Sequence, residues 1–186
     1  YGAGPGTGYG PGQSGGQGPG LGPGAGTGVN TPALLPAPGT NPLTAAESGD
    51  ILFMQEEEQM AYDLYTGWAG RYSVPVFSNI AASEAMHIAE VRLLVERYGL
   101  QDRPAGNASA GYSSPVIQSL YSALADQGDA SLNGAFEAGL AIEEQDIADL
   151  DRALKNTTRP DIIQVYSSLR QGSVNHRSAF LRQLGR

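Results

Sequence analysis

The sequence predicts an all-α protein: an antiparallel four-helix bundle with one short extra helix, preceded by an extended arm rich in glycine and proline. Four segments of helical length carry apolar residues with the 3.6-residue period of an amphipathic helix. Composition marks the boundary, because residues 1 to 46 contain no charged side chain although the 186-residue chain has a net charge of −8. We therefore divide the chain into an arm, residues 1–43, and a helical domain, residues 44–186.

Glycine occupies thirteen of the fourteen even positions between Gly2 and Gly28. This period of two excludes a collagen triple helix, which needs glycine at every third position. In an extended chain alternate residues lie on opposite faces, so one face would be nearly bare backbone and suited to close packing. Uncharged glycine-rich sequence is also typical of a flexible linker. An arm that instead packs on neighbouring copies would make the protein a homo-oligomer or homopolymer through residues 1–43, with the proline-rich residues 29–43 as a stiff connector.

The first predicted helix begins at a capping box formed by Thr44 and Glu47 and runs to about Gly70. The residues expected to face the core are Ile51, Met54, Glu58, Ala61, Tyr65 and Trp68. Glu57 is an alternative to Glu58, because the stripe through Glu57 is nearly as apolar. One carboxylate is thus expected on an otherwise apolar face.

The second predicted helix begins at Pro75 or Ser78 and ends at Gly99, where a left-handed cap is common. Its core-facing residues are Ile80, Glu84, His87, Val91, Leu94 and Tyr98. Glu84 and His87 are three positions apart and so share one helix face. A buried carboxylate is tolerated only when it is paired, hydrogen-bonded or bound to a metal, and dinuclear sites in four-helix bundles use Glu-x-x-His on an inward face.

Three further helices are predicted in the second half of the chain. A short helix spans residues 115–125, a third long helix runs over about residues 131–154, and the fourth begins at Pro160. The core-facing residues of the third long helix are Phe136, Leu140, Glu143, Ile147, Leu150 and Leu154. Those of the fourth are Ile162, Tyr166, Leu169, Ser173, His176 and Phe180.

Both histidines of the chain, His87 and His176, fall on these core-facing stripes. The triplet Glu-Glu-Gln that begins at Glu57 recurs at Glu143, and each copy precedes a helix whose stripe contains a histidine. Two similar helical hairpins related by a pseudo-twofold axis would bring the polar positions together at mid-bundle, as in a dinuclear carboxylate site. The alternative is a network without metal, in which the carboxylates pair with protonated histidines.

On these residues the helical domain resembles the ferritin-like superfamily, in the manner of rubrerythrin and bacterioferritin. It is most similar to an uncharacterised branch of that superfamily, known as a domain of unknown function. The segment Ala138-Gly139-Leu140-Ala141-Ile142-Glu143 is similar to the rubrerythrin segment that contributes the third-helix Glu, and Ala61 and Tyr65 follow Glu58 as in the first-helix signature. The resemblance implies a site for Fe, Mn or Zn, metals suited to carboxylate and imidazole ligands. The implied ligands are Glu58, Glu84, His87, Glu143 and His176.

Ser173 departs from the family pattern, which has a Glu at this place on the fourth helix. Serine is too short to bridge two metals, so the resemblance does not imply a complete di-iron site. Asp146 and Glu144 are the possible substitutes. The sequence identifies no catalytic residue and no organic cofactor.

Composition narrows the function further. The acidic charge argues against nucleic-acid binding, no apolar run reaches the roughly 18 residues of a membrane span, and the absence of cysteine excludes disulfides and thiolate metal sites. Tyr1 in first position fits a processed secreted chain, and equally an expression fragment; we expect an extracellular or cell-surface location. The expected function is a secreted assembly protein that polymerises through its arm and whose metal site lacks one family carboxylate. The alternative is a metal oxidoreductase that uses O₂ or peroxide and has the arm as a flexible tether.

Overall fold

The structure is a computed structural model that describes residues 35–102 and 111–186. Within these ranges it contains α-helices and no strand, which confirms the predicted all-α class. In chain order the helices are α1 (Ala45–Tyr72), α2 (Pro75–Arg97), α3 (Pro115–Ala130), α4 (Leu132–Ala153) and α5 (Pro160–Gln183). Helix α1 contacts α2, α2 contacts α5, α5 contacts α4, and α4 contacts α1, so these four helices form a ring. Helix α3 packs on α1 and α4.

The two ends of α1 are set by short-range hydrogen bonds. The predicted capping box is present: the Glu47 N–H donates to Thr44 Oγ1 at 3.1 Å, and the Thr44 N–H donates to Glu47 Oε2 at 2.8 Å. At the other end α1 continues past the predicted Gly70 to Tyr72. It stops at Ser73, which adopts a left-handed φ of 54° and donates its N–H to the Ala69 carbonyl at 3.0 Å.

Helix α3 is longer than the predicted residues 115–125, because it continues to Ala130. Gly128 lies in this extension, although glycine disfavours helix interiors. In the structure Gly128 packs against Trp68 so closely that a Cβ atom would overlap the indole ring. Its carbonyl also accepts a hydrogen bond from the Tyr72 hydroxyl at 2.6 Å. Tertiary packing therefore holds the last turn of α3 despite its weak helix propensity.

The core consists of two apolar clusters separated by a polar layer. The aromatic cluster is centred on Tyr65, Trp68, Phe77, Phe136 and Phe180. The aliphatic cluster is centred on Ile51, Met54, Val91, Leu94, Leu150, Ile162 and Leu169. On each of α1, α2, α4 and α5 a set of buried polar residues lies between a residue of one cluster and a residue of the other, and these sets form the polar layer: Glu57 and Glu58 on α1, Glu84, His87 and Glu90 on α2, Glu143 and Asp146 on α4, and Ser173 and His176 on α5. Both clusters keep water from the polar layer between them.

The end of the connector, residues 35–43, is fastened to the helices. Leu35 is buried in the aliphatic cluster, and Arg97 Nη1 donates to the Pro36 carbonyl at 2.5 Å. Arg159 Nη2 donates to the carbonyls of Asn41 and Pro42, each at 2.7 Å. The predicted arm otherwise lies outside the described residues. None of the helices in the described ranges has the length and apolar character needed to cross a membrane.

Candidate metal centre

The polar layer contains all five residues that the sequence predicted as metal ligands. Each is nearly inaccessible to solvent, with an exposed fraction between 2% and 7%. They are Glu58 on α1, Glu84 and His87 on α2, Glu143 on α4 and His176 on α5. The four ring helices thus bring together side chains that are far apart in the sequence.

The carboxylate of Glu84 lies between the two imidazoles. Its Oε2 is 2.7 Å from Nδ1 of His87, and its Oε1 is 3.0 Å from Nδ1 of His176. The two rings are tilted by 30° with their centroids 5.6 Å apart. One carboxylate therefore presents one oxygen to each histidine, which is the arrangement of a bridging ligand.

Each histidine has a second carboxylate neighbour. Glu58 Oε2 lies 3.2 Å from His87 Nδ1, and Glu143 Oε2 lies 3.4 Å from His176 Nδ1. This gives two groups, each with possible ligand atoms within 4.8 Å of one another: Glu58, Glu84 and His87 form one, and Glu84, Glu143 and His176 form the other. Each group could hold a metal ion, and the two groups share Glu84.

Burial and mutual charge shift the pKa values of these residues strongly. Burial alone would lower the pKa of His176, but the carboxylates of Glu84 and Glu143 outweigh it and raise the pKa to about 10. The pKa of His87 is raised for the corresponding reason, by Glu84 and Glu58. Burial raises the pKa values of Glu58 and Glu143, whereas the two histidines overcome burial at Glu84 and lower its pKa. Glu84 and the two histidines therefore stabilise the charged forms of one another.

Hydrogen bonding within the layer is nevertheless incomplete. His176 Nδ1 is buried and close to two carboxylates, yet among the described residues it has no partner in line for a hydrogen bond, and neither has Glu58 Oε1. Buried polar atoms without partners are rare and costly. A cation between these atoms would use them as ligands, and a set of imidazole nitrogens and carboxylate oxygens suits Fe, Mn or Zn. The donor set therefore fits a metal.

Two residues outside the predicted ligand set support the ligands. The Tyr65 hydroxyl donates to Glu143 Oε1 at 2.5 Å, which fixes the orientation of that carboxylate. Gly172 on α5 makes room for the His87 ring, because a Cβ atom there would lie 2.5 Å from His87 Cε1 and would also overlap Nε2. The sequence placed Tyr65 on the core-facing stripe and in the first-helix signature but gave its hydroxyl no role, and no sequence signal connects Gly172 with a histidine on another helix.

Replacing Gly172 by alanine should weaken metal binding without weakening the helix. Alanine favours the helix by roughly 0.5–1 kcal/mol over glycine, but its methyl group displaces the His87 ring. We expect affinity for Mn²⁺ or Zn²⁺ to fall by roughly 10–100-fold, the range for residues that orient ligands. Isothermal titration calorimetry measures this loss. Gly67→Ala is the matched control, because nothing lies within 4 Å of a Cβ at that position; equal affinities in the two variants would contradict the account.

The remaining candidates separate into buried and exposed residues. Glu57 and Glu58 are both buried, but only Glu58 belongs to a three-residue group; both Glu57 oxygens lack a hydrogen-bond partner among the described residues. Glu144 is exposed on α4 and therefore does not substitute for the missing carboxylate. Asp146 and Ser173 are buried and hydrogen-bonded to each other.

The metal-free protein should lose stability as the pH rises from about 5 to 10. Burial raises the pKa of Asp146 to about 7, so the folded state keeps a proton that the unfolded chain releases near pH 4. Stability from this group is lost as the pH rises through 7. His176 loses its contribution later, between its ordinary pKa of 6.5 and about 10. Urea unfolding at pH 6, 7.5 and 9 in the presence of a chelator tests the trend, and a free energy of unfolding that increases with pH would contradict it.

Buried carboxylate and histidine groups within a helical bundle define this chain as a bundle protein with a candidate metal centre. The chain belongs to the family of the uncharacterized protein domain DUF2202, which matches residues 47–186. It is 39% identical over 144 residues to the uncharacterized protein MJ0754 of Methanocaldococcus jannaschii, with 77% of each chain covered. The crystal structure of hypothetical protein MJ0754 aligns with a TM-score of 0.76 at 35% identity, covering 81% of this chain and 86% of that one. The family and helical fold are thereby shown, and the function has to be sought in the site.

Proposed function

We propose that the helical domain is a ferritin-like protein that holds two metal ions joined by Glu84. The observation that carries this proposal is that the two Glu84 oxygens lie 2.7 Å and 3.0 Å from Nδ1 of different histidines. Each histidine has one further glutamate beside it, which completes two similar groups. When bound, a pair of Fe or Mn ions at such a site would supply O₂ or peroxide chemistry, so metal-dependent oxidoreduction is the proposed activity.

The order of the core clusters along the helices supports the ferritin-like arrangement. From start to end, α1 and α5 pass from the aliphatic to the aromatic cluster, whereas α2 and α4 pass in the opposite direction. This order supports an antiparallel arrangement for each pair of neighbours around the ring. The long connection from α2 to α4, which includes α3, has to return along the bundle, and a single long crossover is characteristic of ferritin-like folds.

A groove between α2 and α5 offers small molecules a path to the centre. Its volume is about 680 Å³, and its lining includes Val74, Asn79, Ser83, Asn175 and His176. The groove thus reaches one of the five proposed ligands from outside. The apolar clusters on either side of the polar layer restrict the remaining approaches along the bundle. The chain's own contribution is to hold the ligands, orient Glu143 through Tyr65 and limit access.

Metal analysis of the purified full chain tests the proposal. Elemental analysis after equilibration with Mn²⁺ or Fe²⁺ should give two ions per chain, and His87→Ala should reduce this to about one, because only one group contains His87. Absence of bound metal in the wild-type chain would leave the network of carboxylates and protonated histidines as the better explanation. Oxygen consumption by the Fe²⁺-loaded protein, with His176→Ala as the control, then tests oxidoreduction separately from binding.

Assembly through the arm is a second candidate function, favoured by the fastening of the connector. Arg97 and Arg159 bond to connector carbonyls and Leu35 is buried, so the arm departs from a fixed point on the helical domain. A fixed point of departure favours directional contact with a neighbouring copy, consistent with the proposed secreted or cell-surface assembly protein. Such contact would use the bare backbone face predicted for the arm.

Deletion of residues 1–34 tests assembly, and it keeps the connector contacts that a deletion of residues 1–43 would remove. Light scattering and electron microscopy should show large or elongated particles for the full chain and compact particles for the truncated chain. Identical compact particles for both would reject the assembly function. A metal content that is unchanged by the truncation would show that the arm and the centre act independently.

A further inference from the structure

Asp146 and Ser173 face each other inside the polar layer. Their exposed fractions are 5% and 1%. The Ser173 hydroxyl lies 2.9 Å from the Leu169 carbonyl and donates to Asp146 Oδ2. The other oxygen, Asp146 Oδ1, is buried and has no hydrogen-bond partner among the described residues. One carboxylate oxygen is therefore held in place while the second is available to a ligand.

Asp146 and Ser173 each lie one helical turn from a proposed ligand on the same helix. Asp146 follows Glu143 by one turn on α4, and Ser173 precedes His176 by one turn on α5. The charge of Asp146 acts on residues of both three-residue groups, which include Glu58, Glu84 and His87. Asp146 thus lies in the same buried layer as both groups, one turn from Glu143, although it belongs to neither group.

We infer that Asp146 supplies, from α4, the carboxylate that α5 lacks at Ser173, and that its Oδ1 is a further metal ligand. This inference rests on the proposed dinuclear function. Ser173 acts as a positioning residue, because its hydroxyl holds Oδ2 and so directs Oδ1. The hydrogen bond explains why a serine in place of a glutamate is compatible with a complete centre: the carboxylate has moved to the neighbouring helix.

The balance of charge in the layer supports the same assignment. Two divalent ions carry four positive charges, and the ligands Glu58, Glu84 and Glu143 supply only three negative charges. Asp146 supplies the fourth, with both histidines neutral as metal ligands must be. A buried site is tolerated when its charges are compensated in this way.

Three variants of the full chain, titrated with Mn²⁺, test the inference. Asp146→Asn keeps the shape and the acceptor for Ser173 but removes the charge. Ser173→Ala removes only the hydroxyl. The exchange Asp146→Ser with Ser173→Glu returns the carboxylate to α5. Titration calorimetry gives stoichiometry and affinity, electron paramagnetic resonance reports whether two Mn²⁺ ions are magnetically coupled, and circular dichroism confirms that each variant is folded.

We expect Asp146→Asn to bind one ion per chain, or to bind the second at least about 100-fold more weakly, beyond the usual range for residues outside the ligand set. Ser173→Ala should lose about 10-fold or less, and the exchange should restore two coupled ions. If the wild-type chain and Asp146→Asn both bind two coupled ions equally well, the inference is wrong while the dinuclear function stands. If Asp146→Asn loses the second ion but the folded exchange variant does not recover it, Asp146 does not replace a residue-173 carboxylate. If the wild-type chain binds no Mn²⁺, Fe²⁺ or Zn²⁺, the function and the inference fail together.

Discussion

Glu84→Gln should abolish the binding of both metal ions, the largest effect expected of any single substitution in the centre. Each of the two three-residue groups contains Glu84, and no other residue belongs to both groups. Glutamine is nearly isosteric, but one of its two terminal atoms is an amide nitrogen that does not bind metal, and its charge is lost. We expect the stoichiometry to fall from two ions to none at micromolar metal, with affinity reduced by more than roughly 100-fold, beyond the effect of losing an outer-shell partner.

Glu96→Gln provides the matched control, since Glu96 lies on the exposed face of the same helix. It removes the same charge from α2 and should leave both ions bound. Elemental analysis and Mn²⁺ titration of the two variants, together with circular dichroism, separate loss of ligands from loss of fold. Two ions retained by folded Glu84→Gln would mean that the bridging arrangement does not hold the metals.

Trp68→Ala should cause the largest loss of stability. Trp68 is 1% exposed and makes edge-to-face contacts with Tyr65 and Phe77, at centroid distances of 5.9 Å and 5.8 Å. Gly128 of α3 also packs on its indole ring, so the substitution opens a cavity among three helices. We expect a loss of roughly 3–5 kcal/mol in the free energy of unfolding.

Urea unfolding followed by circular dichroism measures this loss, because Trp68 is the only tryptophan and its removal eliminates the fluorescence signal. Met86→Ala is the comparison, since Met86 is 37% exposed on α2 and should change stability by less than about 0.5 kcal/mol. Similar free energies for the two variants would show that the aromatic cluster is not the main core. Metal added to Trp68→Ala should recover part of the loss, because ligands that bind only the folded state stabilise it.

The sequence was most informative where a polar residue interrupts an apolar stripe. Glu58, Glu84, His87, Glu143 and His176 were recognised in this way, and the structure buries and gathers all five. The helical period could not separate Glu57 from Glu58, because adjacent positions on a wide buried face are both excluded from water. Only the distance to His87, a contact between helices, distinguishes them.

Features that depend on contact between distant segments could not be predicted from local pattern. Gly172 appears as an ordinary helix glycine until the His87 ring is placed against it. Asp146 and Glu144 were equal candidates in the sequence; Glu144 is exposed, and the burial of Asp146 beside Ser173 supports the proposal of Asp146 as a ligand. The predicted end of α3 was wrong because it also depends on a contact between distant segments: the packing of Gly128 on Trp68 outweighs helix propensity.

The most direct test of the central claim is the anomalous scattering of crystals of the full chain grown with Mn²⁺. The account predicts two anomalous peaks inside the bundle, each within about 2.0–2.3 Å of a different Glu84 oxygen. One peak should also contact Glu58 and His87, and the other Glu143 and His176. Peaks confined to the protein surface, or an interior with no peak and both imidazoles still paired to carboxylates, would contradict it.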